Sequence, residues 1–235
     1  MKNLIIASTS TLYGGSYLDY LTNVLIEHFK EATTILFIPY ARPSGITYDE
    51  YTKKASTFFN KIGKKVVGIH EFEDPKKAIE NAEGIFTGGG NTFLLVSTLY
   101  KNSIVETLAQ QLQKGTPYLG TSAGSNITGL TMGTTNDMPI VYPPSFKTLS
   151  VIPFNINPHY IDTDTALNHM GETRETRIAE FHKFNPQPVI GLREGSWLQV
   201  KDTTIILKGE LPARWFTANA NPIEIFPETK INELL

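Results

Sequence analysis

A chain of 235 residues, 40% apolar and 19% charged, has the composition of a soluble globular protein and enough length for a sizeable core. A formal net charge of −2, with no basic block, gives no electrostatic case for nucleic acid or an anionic membrane. Cysteine is absent, which excludes disulfides, thiolate zinc sites and a cysteine nucleophile.

The first half alternates regularly. Residues 3–8 are a short apolar run and read as a buried strand. Residues 9–16 are polar and carry glycines, so they form a loop. Residues 17–31 set Leu18, Leu21, Leu25 and Phe29 on one helical face. A second strand is expected over residues 34–39, a helix over 47–62 and a third strand over 65–70. Asp74 followed by Pro75 is an N-cap with proline at the first helical position, opening a short helix that ends near Ala82. A fourth strand, 84–87, runs into Gly88-Gly89-Gly90-Asn91. Helices follow over 92–100 and 103–114, Gly115 closing the second. Tyr118 and Leu119 then form a fifth strand. Five strand–helix alternations argue for a mostly parallel sheet between helices, with sites at the carboxyl ends of the strands.

The second half is less periodic. Residues 129–147 read as a long loop, 149–156 as a strand and 172–183 as a helix. Residues 188–192 are apolar and end at Arg193-Glu194-Gly195. Residues 196–200 and 203–207 read as a hairpin, and the tail from 210 mixes short strands and turns. With no low-complexity linker and no repeat, residues 1–235 are expected to form one domain. The N-terminal apolar run is too short for a signal-peptide core and no run reaches membrane-spanning length, so a cytoplasmic location is expected.

The chemistry centres on Gly120-Thr121-Ser122-Ala123-Gly124, a G-x-S-x-G stretch between a strand and a helix. That context suits a nucleophile elbow, with the serine hydroxyl at the apex of a strained turn. A serine hydroxyl needs an adjacent base. Among five histidines, His28 and His182 read as packing or surface residues, and His70 and His169 have little to distinguish them. His159 follows a strand and the rigid Asn157-Pro158 turn, and is the leading candidate. A carboxylate must orient the base. Glu194 leads because it also follows a strand; Asp137, Asp162, Asp164 and Glu172 compete. For the developing oxyanion, the N–H groups of Ala123 and Gly90 are natural donors. A phosphate cradle is the rival reading of the glycine run and ranks well below the oxyanion one, since neither G-x-G-x-x-G nor a Walker lysine is present, and no cofactor is expected. His159, Asp162, Asp164 and His169 match no helical zinc spacing, so no metal is expected either.

The motifs taken together resemble a known family. Gly88-Gly89-Gly90-Asn91-Thr92-Phe93, the elbow, Thr135-Asn136-Asp137-Met138-Pro139, Asn157-Pro158-His159, Gly171-Glu172-Thr173-Arg174-Glu175 and Gly191-Leu192-Arg193-Glu194-Gly195 occur in the order found in peptidase E, the α-aspartyl dipeptidase group of serine peptidases. The resemblance implies a flavodoxin-like α/β three-layer sandwich related to class I glutamine amidotransferases. It implies hydrolysis of small Asp-Xaa dipeptides by Ser122 as nucleophile, His159 as base and Glu194 as orienter, with an oxyanion hole at Gly90 and Ala123. Arg174 matches the position that grips the substrate aspartate, and a planar guanidinium suits that task. Asp137 remains a second candidate carboxylate. Thr121, before the serine, departs from the bulkier residue of relatives and leaves the pocket's shape open. A related hydrolase of another aspartyl amide or polymer, or a silent binding scaffold, are the alternatives.

Overall fold

The structure, a computed structural model, describes residues 1–162 and 171–235. In the first half, β1 (Asn3–Ala7), α1 (Thr22–His28), β2 (Thr34–Ile38), α2 (Tyr48–Lys61), β3 (Lys65–Gly68), α3 (Pro75–Glu80) and β4 (Gly84–Thr87) alternate. Then come α4 (Thr92–Lys101), α5 (Val105–Lys114), β5 (Tyr118–Thr121) and a short α6 (Ala123–Asn126). The second half contributes β6 (Asn155–Asn157), α7 (Arg174–Phe181), β7 (Val189–Gly191), β8 (Trp197–Lys201), β9 (Thr204–Lys208), β10 (Ala213–Phe216) and β11 (Ile223–Ile225).

These strands make two sheets. The larger has the order β3-β2-β4-β5-β1-β8-β9. Its first five strands are parallel, while β8 pairs with β1 and β9 with β8 antiparallel. The smaller has the order β11-β10-β7-β6, in which only β6 and β7 are parallel.

The parallel strands are apolar on both faces because both faces are covered. Leu4, Ile6, Leu36, Ile38 and Ile85 point into one core with α3, α4 and α5. Ile5, Ala7, Ile35, Phe37 and Phe86 point the other way, into a core closed by α1 and α2. Phe86 centres that second core, with ring centroids 4.9 Å from Phe37 and 5.7 Å from Phe59. The first core also takes in Ile156, Ile190, Trp215 and Ile225, so both sheets share it. The result is the expected three-layer α/β sandwich of the flavodoxin-like and glutamine-amidotransferase-like type.

Three expectations are corrected. The helix over 17–31 reduces to Thr22–His28, preceded by a 3-10 turn at Asp19–Leu21. The buried Leu18 adopts φ 61°, a left-handed conformation that a helix cannot contain. The third strand stops at Gly68, and His70 lies in a 3-10 turn, Ile69–Glu71. Of the strand over 149–156 only its last residues join β6. Leu149 and Val151 instead donate to the carbonyls of Ile127 and Thr128, just after α6. The stretch is apolar because it is buried, not because it is in a ladder.

Candidate active site

Three groups converge on one edge, each from the carboxyl end of a strand. Ser122 follows β5, His159 follows β6 and Glu194 follows β7. The parallel pairing of β6 with β7 sets His159 and Glu194 side by side. The core shared by the two sheets brings that pair over Ser122.

The elbow is built as its sequence requires. Ser122 has φ 55° and ψ −112°, a conformation rare for a residue with a Cβ. Its neighbours hold it there. The Ser122 N–H donates to the Ala7 carbonyl at 3.1 Å, continuing the β5–β1 ladder. The buried Ser125 hydroxyl lies 2.6 Å from the Ala7 oxygen and 2.8 Å from that of Gly120. Gly124 must be glycine, because a Cβ there would meet the Thr87 carbonyl oxygen at 2.2 Å. The first turn of α6 can therefore pack onto the end of β4.

His159 is clamped just as firmly. It too has a positive φ, 53°. Its N–H donates to Ser8 Oγ at 2.8 Å, and Ser8 Oγ donates to the Leu192 carbonyl at 2.7 Å. One fully buried hydroxyl thus joins the ends of β1, β6 and β7. On the far side, Asn136 Nδ2 donates to the Pro158 carbonyl at 2.6 Å and Asn157 Nδ2 donates to Asn136 Oδ1 at 2.7 Å.

The resulting chain is short and directional. His159 Nδ1 lies 2.6 Å from Glu194 Oε1 and Nε2 lies 2.8 Å from Ser122 Oγ. A carboxylate only accepts, so Nδ1 carries the proton and Nε2 is left to accept from the Ser122 hydroxyl. This arrangement can withdraw the serine proton and return it to a leaving group. Side-chain exposures of 35% for His159 and 47% for Glu194 leave the edge open to a small molecule.

The Ala123 N–H opens α6 and has no carbonyl within its own helix to reach. Gly90 sits across from it with φ 143°, and a Cβ there would lie 2.2 Å from the Ala41 carbonyl oxygen. Among the described residues neither N–H finds an acceptor. Arg174, the first residue of α7, lines a small cleft with Thr134, Asn136, Asn157 and Phe181, and pairs with no described acid. Burial lowers its pKa most, neighbouring Arg177 lowers it further and Asp137 opposes both. The guanidinium stays charged at neutral pH.

The competing candidates are occupied elsewhere. Asp137 does not meet His159. Its Oδ2 accepts from the Thr92 N–H and hydroxyl, both at 2.7 Å, and from Thr135 Oγ1 at 3.0 Å. It therefore caps the start of α4, beside the N-cap Asn91. Asp162 forms a fork with Arg193, at 2.7 and 2.6 Å. Glu172 lies 3.9 Å from Arg177. His28 Nε2 donates to the Tyr118 carbonyl, His70 pairs with Asp49, and His182 donates to the Gln187 carbonyl. Asp164 and His169 fall outside the described residues. Among the described residues no group of three or more His, Asp or Glu is disposed to hold a metal. Sequence reasoning missed Ser8. Its only signal was a hydroxyl residue at the end of β1, on the strand edge that the elbow also occupies.

Residues 4–208 match the family described as Peptidase family S51. Peptidase E of Streptomyces coelicolor is 42% identical over 233 residues, covering 99% of this chain and 95% of its own. A protein of Drosophila melanogaster named "Probable alpha-aspartyl dipeptidase" is 40% identical over 237 residues, 100% of this chain and 98% of its own. The crystal structure of a peptidase from an acI-B1 Actinobacterium superposes with a TM-score of 0.68 at 14% identity, covering 98% of this chain and 96% of that one, and so shares the fold. A match that takes in the whole larger sheet, and relatives this similar along nearly their whole length, mean that the chain belongs to peptidase family S51 and is a serine-type peptidase.

Proposed function

We propose that the protein hydrolyses dipeptides with an N-terminal aspartate, and that Ser122, His159 and Glu194 carry the reaction. His159 Nε2 takes the Ser122 proton as Oγ attacks the carbonyl after aspartate. The Gly90 and Ala123 N–H groups stabilise the oxyanion, which carries more charge than the ground-state carbonyl. His159 then protonates the leaving amine, and water admitted to the same base releases aspartate from the acyl-enzyme. Glu194 holds the imidazole tautomer and stabilises the imidazolium. Arg174 grips the aspartate side chain.

The observation that carries this reading is the hydrogen-bonded chain from Glu194 through His159 to Ser122, at 2.6 and 2.8 Å. A silent scaffold would not need so directional an arrangement. The name of the Drosophila relative supports the same substrate class. The core common to both sheets supports one domain over residues 1–235. The proposal takes the substrates to be small free peptides in the cytoplasm, with no membrane or nucleic-acid partner, and no helix of the described residues is long and apolar enough to cross a membrane.

Rates on Asp-Leu, Asn-Leu and Ala-Leu test the proposal. Asp-Leu is expected to be cleaved and the other two not. Ser122→Ala should lower kcat by about 1,000-fold or more. Arg174→Ala should cut the preference for Asp-Leu over Asn-Leu by roughly 10- to 100-fold, the worth of a charged hydrogen-bonded contact. Equal cleavage of all three substrates by the wild type would sink the aspartate assignment.

A further inference from the structure

A dipeptide Asp-Xaa carries two carboxylates, one on the aspartate side chain and one at its C-terminus. Arg177, Arg193 and Arg214 are each ion-paired. Arg42 and Arg174 pair with no described acid. The reaction proposed above uses Arg174 and leaves Arg42 without a task.

Arg42 is wired to the loop beside the nucleophile. The carbonyl of the preceding residue, Ala41, accepts from the Asn91 N–H at 2.6 Å and backs Gly90 so closely that no Cβ fits between them. The Arg42 guanidinium lies over the Tyr51 ring, 4.8 Å from its centroid. Tyr51 in turn donates its hydroxyl to the Gly89 carbonyl at 3.1 Å. Gly89 abuts Ser122, a Cβ on it falling 2.9 Å from the Ser122 Cβ. Three contacts therefore connect the guanidinium to the serine.

The guanidinium is also incompletely satisfied. Its Nε is buried without a hydrogen-bond partner. A stacked, oriented fork with an unused donor is preorganised for a planar anion, and a carboxylate is the anion a peptide offers.

The two arginines without a described acid belong to different parts of the fold. Arg174 belongs to the side of the smaller sheet, in a cleft with Asn136 and Asn157. Arg42 belongs to the side of α2, whose Tyr51 lies in the other core. A peptide whose scissile carbonyl sits over Ser122 can extend its two ends toward these two cations. Consecutive α-carbons are only about 3.8 Å apart, so a single residue beyond the scissile bond brings its carboxylate to within a side chain's length of the serine loop.

We infer that Arg42 binds the C-terminal carboxylate of the leaving residue and so restricts cleavage to dipeptides. This inference rests on the proposed aspartyl dipeptidase reading and extends it to the second subsite.

The test compares kcat/KM for Asp-Leu, its C-terminal amide Asp-Leu-NH2, the tripeptide Asp-Leu-Gly and Asn-Leu. The wild type, Arg42→Ala and Arg42→Lys are each used, after circular dichroism confirms that they fold. The wild type should prefer Asp-Leu to its amide and to the tripeptide by about 10- to 100-fold, the range of one charged hydrogen-bonded contact. In Arg42→Ala both ratios should fall toward one, mainly through a higher KM, while the ratio of Asp-Leu to Asn-Leu keeps its wild-type value. Arg42→Lys should recover part of the preference, since it keeps the charge and loses the fork. Ratios that survive Arg42→Ala would overturn the inference and leave the dipeptidase reading standing. Loss of the Asp-Leu to Asn-Leu ratio instead would mean that Arg42 reads the aspartate side chain, which also overturns it. A wild type that cleaves none of these peptides would bring down both readings together.

Discussion

Ser8 is the residue whose removal best separates positioning from chemistry. Its hydroxyl touches neither Ser122 Oγ nor the His159 ring. It accepts from the His159 backbone N–H and donates to the Leu192 carbonyl, fixing the turn that presents the imidazole. Ser8→Ala leaves the His159 N–H without its acceptor, while the Leu192 carbonyl keeps the Tyr160 N–H at 2.9 Å, and the orphaned donor costs about 1–3 kcal/mol. The expected outcome is a lower denaturant midpoint together with a roughly 10-fold or greater fall in kcat and little change in KM, because a tilt of His159 affects proton transfer before it affects binding. A loss of stability with kcat intact would mean that the His159 turn is held by Asn136 and Asn157 alone. Ser122 and His159 share the same logic at the level of the backbone. Both have positive φ without being glycine, and both are held there by ladder or side-chain hydrogen bonds.

Among the elements, α4 is the one most dependent on a distant residue. Its first turn receives the Asn91 side chain at the Leu94 N–H, 3.0 Å, and the Asp137 carboxylate at the Thr92 N–H, 2.7 Å. A negative group at a helix N-terminus gains from both capping and the helix dipole. Since α4 begins right after Gly88-Gly89-Gly90, this cap also anchors the glycine loop beside Ser122. Asp137→Ala should therefore lower stability by about 1–2 kcal/mol, read as a shift of the urea midpoint. If Asp137 instead acted on His159, the pH profile of kcat would move and the midpoint would not.

The whole molecule carries two sets of titrating groups with separate pH windows. His28 sits where α1 meets β5, its Nε2 donating to the Tyr118 carbonyl at 3.1 Å, and burial pushes its pKa down from the usual value to about 4. The folded state thus binds this proton more weakly than the unfolded chain. Its contribution is intact above about pH 6.5, is lost as pH falls from there to about 4, and is level below that. At pH 5 the loss is about 1–2 kcal/mol once residual exposure of the ring is allowed for. Urea midpoints at pH 7.5 and pH 5 should converge for His28→Gln and diverge for the wild type by that amount. The second set is the cluster around Arg193, which pairs with Asp162 and Glu224 and ties the loop after β6 to β10 and β11. Hydrogen bonds from Arg193 hold both carboxyls below their usual range, so their contribution is present at neutral pH and is lost only below about pH 4.

The parallel half of the sheet was legible because its physics is local. Strands that are buried on both faces must be apolar throughout, and the helices between them must show a 3.6-residue period, so five alternations appear directly in the order of residues. The elbow was legible for the same reason, since a turn at φ 55° packed against β4 demands small residues in a fixed pattern. The family motifs carried the candidate site residues Ser122, His159, Glu194 and Arg174 at once. What the order of residues could not decide was how distant carboxylates divide their work. Glu194 leads Asp137 only by its place after a strand, and the two roles separate when one is found on the start of α4 and the other at 2.6 Å from Nδ1. Nor could it reveal the smaller sheet, whose three-residue strands β6, β7 and β11 are too short to show a period and whose β6–β7 pairing joins residues more than thirty positions apart. The sequence by itself determined the alternating fold and the tight turn at Ser122, because both follow from contacts within a turn or a strand. Only the tertiary structure decided which histidine meets that serine and which acid meets that histidine, because those are contacts between segments that meet only when the two sheets close over one core.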